Sequence, residues 1–193
     1  MRFLRALLGI SLLAGACTTT DPVSAPASAP PKPIADSSPY LCSLVPEQAI
    51  RLMFDASGPI TDLTSGAKTS GQCSAPRTHP YLLYIAWSQE DGKRTREDLN
   101  RLLADKKRVY SQHGGVPLPA DLGDGMVAKV PSGLPNLPYE AAVKFPCGGK
   151  ERYLTFSIAA VAQGRDAFQD MIELLRIVQK RYAELNKCDI GND

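Results

Sequence analysis

His79 and His113 are the two histidines of this chain, the side chains whose ordinary pKa suits proton transfer near neutrality. His113 stands in Gln112-His113-Gly114-Gly115, and two carboxylates follow in Asp121-Leu122-Gly123-Asp124-Gly125. A base oriented by a carboxylate is the minimum for activating a nucleophile, so His113 with Asp121 or Asp124 is the combination from which a small hydrolase would be built. The sequence contains no Gly-x-Ser-x-Gly elbow to present a serine. Beside glycines, a single histidine reads as a polar surface loop, and the Leu-Gly-Asp-Gly stretch reads as a turn feeding a strand. The same stretch lacks the ligand density and downstream glutamate of a calcium loop. Asn136 and Tyr139, in and beside the proline-rich Leu134 to Pro138 segment, are placed to edge a groove. Tyr84 and Trp87 read as core rather than as a ligand stack.

Of the five cysteines, Cys42, Cys73, Cys147 and Cys188 form an even set downstream of Cys17. Two disulfides are the expectation for an exported domain, with three possible connectivities that sequence alone does not separate. We choose Cys42 with Cys73, joining the start of the domain to the segment leading into a strand. Cys147 with Cys188 then ties a hairpin to the end of the last helix. No two cysteines have close metal-ligand spacing and the histidines are isolated, so neither zinc nor another cofactor is implied.

Cys17 closes an apolar run. Arg2 and Arg5 precede it, and Ala6 to Ala16 ends in small residues, the pattern of a secretory signal over residues 1–16. As a helix that run rises only about 16 Å, roughly half of the ~30 Å hydrocarbon core. Ala14-Gly15-Ala16-Cys17, with Leu12 and Leu13 just upstream, resembles the lipobox of bacterial lipoproteins. That resemblance implies cleavage before Cys17 and acylation of its sulfur. Two or more acyl chains hold a protein on a bilayer, because each buried methylene contributes about 0.8 kcal/mol. Residues 17–40 then carry six prolines among Ser, Thr and Ala, with few sizeable apolar groups. Such a composition buries too little surface to offset its ordering entropy and reads as a solvated tether.

Taking away Arg2 and Arg5 with the signal leaves twenty basic against twenty acidic side chains. The surplus that replaces phosphate counterions is missing, so nucleic acid is not an expected partner. Lys106-Lys107-Arg108, beside Asp105, reads as a solvated helix face. Residues 41–193 suffice for a single globular domain.

Within it, Pro46 to Phe54 reads as a first helix with Ala49, Ile50 and Met53 inward. Tyr81 to Trp87 is apolar on both alternating sets, as in a strand covered on both faces. Thr95 to Tyr110 has Leu99, Leu102, Leu103, Lys106 and Val109/Tyr110 at helical spacing, with acids early and bases late. Period-two runs follow at Met126/Ala128/Val130, Ala141/Val143/Phe145 and Leu154/Phe156/Ile158/Ala160. The last two are separated by Cys147-Gly148-Gly149-Lys150 and read as an antiparallel hairpin. Asp166 caps a long helix to Lys187 whose inner face is Phe168, Met171, Ile172, Leu175, Val178, Tyr182 and Leu185. The expected class is α+β: an antiparallel β-sheet packed with N-terminal, middle and C-terminal helices and closed by two disulfides.

The order lipobox, tether, Leu41-Cys42-Ser43-Leu44 before a Pro-Glu helix, second cysteine, Leu122-Gly123-Asp124-Gly125 turn and C-terminal amphipathic helix resembles a family of actinobacterial lipoproteins of unknown function. The resemblance implies an address, a lipid-anchored protein on the extracytoplasmic face of the cell membrane, and a fold, but no catalytic residue. The expected role is therefore a non-enzymatic envelope domain that binds a partner protein or a small ligand. The hydrolase built on His113 and a purely structural envelope component are the alternatives.

Overall fold

The computed structural model describes residues 31–91 and 93–190. The signal peptide, Cys17 and the first part of the tether lie outside them. A short ladder pairs β1 (Tyr40–Leu41) with β2 (Val45–Pro46), and α1 (Glu47–Phe54) follows directly. Its buried residues are the expected Ala49, Ile50 and Met53. Next come β3 (Leu63–Gly66), β4 (Ser70–Ala75) and β5 (Leu83–Gln89). α2 (Arg96–Gln112) starts at a capping box in which the Thr95 hydroxyl accepts from Asp98 N–H and the Asp98 carboxylate accepts from Thr95 N–H. β6 (Val116–Pro117) and a 3₁₀ turn (Ala120–Leu122) lead into β7 (Asp124–Leu134), β8 (Leu137–Cys147) and β9 (Lys150–Ile158). The chain closes with α3 (Ala167–Asn186), capped by Asp166, whose carboxylate accepts from Phe168 N–H and Gln169 N–H.

Seven strands form one antiparallel sheet in the order β3-β4-β5-β9-β8-β7-β6. Side-chain alternation divides it into two faces. Leu83 and Ile85, Ala141 to Phe145 in odd steps, and Leu154, Phe156 and Ile158 point into a large core completed by α1 and α3. Met126, Ala128, Val130, Ala142 and Tyr153 point the other way, into a smaller core under Leu99, Leu103 and Tyr110 of α2. The class is α+β with an antiparallel sheet and three helices, as expected. Both disulfides have the chosen connectivity, with Cα–Cα distances of 5.8 Å for Cys42–Cys73 and 5.2 Å for Cys147–Cys188.

Several local expectations are corrected. The β3–β4 hairpin is a Ser/Gly/Thr-rich pair with too little apolar alternation to register as strands. β5 is covered on one face only: α2 lies over β7, β8 and β9, so Tyr84 and Ala86 are half-exposed. Lys107 and Arg108 lie on a solvated face as expected, but Lys106 reaches from it to the buried Glu140 of the sheet. Leu185 of α3 and Leu102 of α2 are exposed rather than inward. The last residues assigned to the tether are docked. Ile34 packs on the main core, Arg165 donates to Lys32 O at 3.0 Å, and Asp36 accepts from Lys180 and from the Tyr40 hydroxyl at 2.8 Å each. Among the described residues, no helix is long and apolar enough to cross a membrane.

Candidate functional site

The residues singled out from sequence do not converge. His113 is the exposed C-cap of α2. Asp121 accepts from Arg176 Nε of α3 at 2.9 Å, and this hydrogen bond holds its carboxyl below the usual carboxylate range. Asp124 instead pairs with Lys107 of α2, on the other side of the sheet. Each carboxylate is thus claimed by a cation from a different helix. Asn136 occupies the two-residue turn between β7 and β8 with φ 64°, a left-handed position that asparagine tolerates. Tyr139 packs edge-on against Phe168 at the start of α3, ring centroids 6.2 Å apart, with Lys129 over its ring. These two residues close a turn and seat a helix. Cys42, Asp62 and Cys73 are the group of potential metal ligands among the described residues. Both sulfurs are committed to one another, and the Asp62 carboxylate accepts from Cys42 N–H at 2.8 Å.

The sheet carries two buried charges that sequence reading passed over. Glu140 of β8 lies on the α2 face. Its Oε2 accepts from Lys106 Nζ at 2.7 Å and from the Tyr110 hydroxyl at 3.0 Å. Gly133 covers it where the β7–β8 register shifts, and a Cβ there would stand 2.1 Å from Glu140 Oε1, so a larger residue would push the carboxylate aside. Burial pushes the Tyr110 and Tyr153 hydroxyls well above the ordinary tyrosine pKa, and the neighbouring Glu140 charge adds to both. A groove of about 480 Å³ runs past Lys106, Val130 and Tyr153 here.

Arg152 of β9 lies on the opposite face, in phase with Leu154, Phe156 and Ile158, and is 6% exposed. Its Nε has no hydrogen-bond partner, its Nη1 makes a long 3.4 Å contact with Glu151 O, the guanidinium lies within hydrogen-bonding reach of the Tyr182 hydroxyl, and no carboxylate pairs with it among the described residues. It faces Phe145 across the β8–β9 ladder, and Tyr182 of α3 packs edge-on against Phe145 at 5.9 Å. Burial raises the Tyr182 pKa, and the adjacent Arg152 guanidinium opposes that rise.

Tyr182 also lines a cleft of about 380 Å³ with Cys42, Leu44, Lys68, Trp87 and Leu185. Trp87 is half-buried at this cleft rather than sealed in the core. The indole is set by its neighbours: Nε1 donates to Ala67 O at 2.9 Å, and a Cβ on Gly71, its partner across the β4–β5 ladder, would strike the ring at 2.4 Å. Trp87 is paired with Leu154, so Arg152 is its diagonal neighbour on the same face, within reach of long side chains. No carboxylate lines the cleft among the described residues. The sequence held a signal for the buried arginine, which is in step with the inward residues of β9, but not for the cleft. Its walls, α3 against β5, exist only in three dimensions.

No protein-family model matches the chain, and neither a curated protein nor a solved structure matches it.

Proposed function

We propose that this chain is a lipid-anchored extracytoplasmic protein whose folded domain binds a small ligand without transforming it. The observation that carries the binding reading is the cleft between the C-terminal end of α3 and β5. Its volume of about 380 Å³ lies within the usual range for small-molecule sites, and apolar side chains line it beside a few polar groups. Two disulfides are compatible with an oxidising compartment. The Ala14-Gly15-Ala16-Cys17 lipobox supports the anchor, and the likeness to actinobacterial lipoproteins supports the same address. Ion pairing of Asp121 with Arg176 and of Asp124 with Lys107 favours binding over a hydrolase at His113, since neither carboxylate is left to orient an imidazole. Residue 32 meets Arg165 at the start of α3, whereas the cleft lies at the helix's other end. A 20-residue helix is about 30 Å long, and the docked segment runs along it from Lys32 to Cys42 and Leu44, which themselves line the cleft.

Membrane fractionation of cells expressing the wild type and Cys17→Ser tests the anchor. The wild type sediments with membranes and incorporates radiolabelled palmitate, while the variant is released and unlabelled. Retention of Cys17→Ser on the membrane would overturn the proposal.

A further inference from the structure

We infer that the groove under α2 is a second binding site, on the opposite face of the sheet from the cleft between α3 and β5, and that it takes a neutral, polyhydroxylated ligand of the pyranose class. Sugar hydroxyls bond to Tyr153 Oη and Glu140 Oε1, and the C–H face of the ring lies against Leu102 and Val109, all of them residues that line the groove. This inference goes beyond the binding reading above and does not depend on it.

The groove has a volume of about 480 Å³, within the usual range for small-molecule sites. Two of its lining side chains are more than nine-tenths buried and keep polar capacity to spare. Tyr153, 7% exposed, makes no hydrogen bond through its hydroxyl among the described residues. Glu140, 4% exposed, receives its bonds from Lys106 and Tyr110 on Oε2, which leaves Oε1 as an acceptor. The side-chain atoms sealed away without a partner are, among the described residues, Arg152 Nε and Arg181 Nε. Tyr153 Oη and Glu140 Oε1 are not sealed, so both open onto the groove that their side chains line. A buried polar group is costly unless it is hydrogen-bonded, and here the bond comes from what enters the groove. Burial keeps the Tyr153 hydroxyl protonated, so it donates, whereas the carboxylate accepts. Tyr153 lies opposite Lys144 of β8, four residues and about 13 Å of strand from Glu140, so a ligand with several hydroxyls is needed to meet both. Charge selects a neutral one. Lys106 is paired with Glu140 and Arg108 with Asp105, so a cationic ligand is opposed by the two bases and an anionic one by the two acids. Leu102, 37% exposed, and the half-buried Val109 supply an apolar wall. A pyranose matches this combination, with hydroxyls around its edge and C–H groups on its faces.

The test is a saturation-transfer NMR titration of the mature chain, residues 17–193 with Cys17→Ser so that no acyl group calls for detergent. The probes are the methyl glycosides of glucose, galactose and mannose, cellobiose, and glucosamine and glucuronate as charged counterparts. At least one neutral sugar binds saturably and more tightly than either charged one. Trp87, the one tryptophan of the chain, lines the other cleft, and its emission does not move. Tyr153→Phe weakens the binding about two- to ten-fold, the scale of one net hydrogen bond. It leaves the urea midpoint of the unliganded protein unchanged or higher, because no bond within the protein is lost. Leu102→Ala, at an exposed position, weakens binding about two- to five-fold by removing apolar contact. This rim variant decides the matter if Tyr153→Phe does not fold. The inference is overturned if no neutral sugar binds saturably, if glucosamine or glucuronate binds as well, if binding shifts Trp87, or if either variant keeps the wild-type affinity. A lowered midpoint for unliganded Tyr153→Phe also overturns it, because the hydroxyl would then have a partner in the fold. Each of those results leaves the membrane-fractionation outcome intact, so loss of this site and loss of the anchor are separate findings.

Discussion

Glu140 and Arg152 lie on neighbouring strands of one sheet, both almost fully buried, and the protein treats them in opposite ways. Glu140 is enclosed under α2 with a lysine and a tyrosine on one carboxylate oxygen and a glycine pressed against the other. Its groove is large, yet its charge is already spent on holding α2 to the sheet. Arg152 sits beneath α3, beside the Tyr182 hydroxyl and without a carboxylate. That helix also rests on the main core and is tied covalently through Cys188 to the end of β8. One buried charge is neutralised by an ion pair that fastens a helix. The other is left with neutral partners under a helix that the core and a disulfide already hold.

The comparison breaks most visibly at the covalent tie. Cys147→Ala/Cys188→Ala removes a link spanning 41 residues, and the chain-entropy model puts the loss at about 4 kcal/mol in urea unfolding. A loss much below that would mean that the core alone seats α3. The two charges then give opposite signs. Glu140→Ala costs about 2–3 kcal/mol, because Lys106 can turn to solvent but the Tyr110 hydroxyl is left buried without its acceptor. Arg152→Met raises stability by about 1–2 kcal/mol, replacing an unsatisfied charge with an apolar chain. Destabilisation of both variants by a similar amount would erase the distinction.

The last effect is in alkali. Burial holds the Tyr110 and Tyr153 protons in the folded state, whereas the unfolded chain releases them near pH 10. Their contribution is intact below about pH 10 and declines above it, by up to about 1.4 kcal/mol per pH unit for each tyrosine. Tyr110→Phe removes one such contribution, so urea midpoints measured from about pH 10 to 11.5 fall less steeply than in the wild type.

Much of the scaffold was legible in the order of residues. Thr95 and Asp166 marked helix starts because their side chains reach nearby N–H groups, and Gly148-Gly149 marked the β8–β9 turn. The periods of α1, α3 and the last three strands showed which side chains are inward, apart from Leu185 at the helix end and Ala160, which lies exposed past the end of β9. The β3–β4 hairpin did not show, since its residues are held by ladder bonds rather than by an apolar stripe. Lys106 was misread for a related reason: local composition says that a lysine among charges is solvated, and its glutamate lies 34 residues away.

Sequence alone determined the α+β class, the number of bridges and the expectation of an exported, lipid-anchored chain, because each depends on short-range spacing, composition or redox chemistry. Arg152 shares the inward phase of its strand, a signal that sequence reading passed over. Only the tertiary structure decided which buried charge has an ionic partner and which does not. Pairing is a matter of distance between strands and helices far apart in the chain, and no local pattern records it. For the same reason His113, Asp121 and Asp124, close in sequence, ended without a shared site: the sheet separates the two helices that hold the carboxylates.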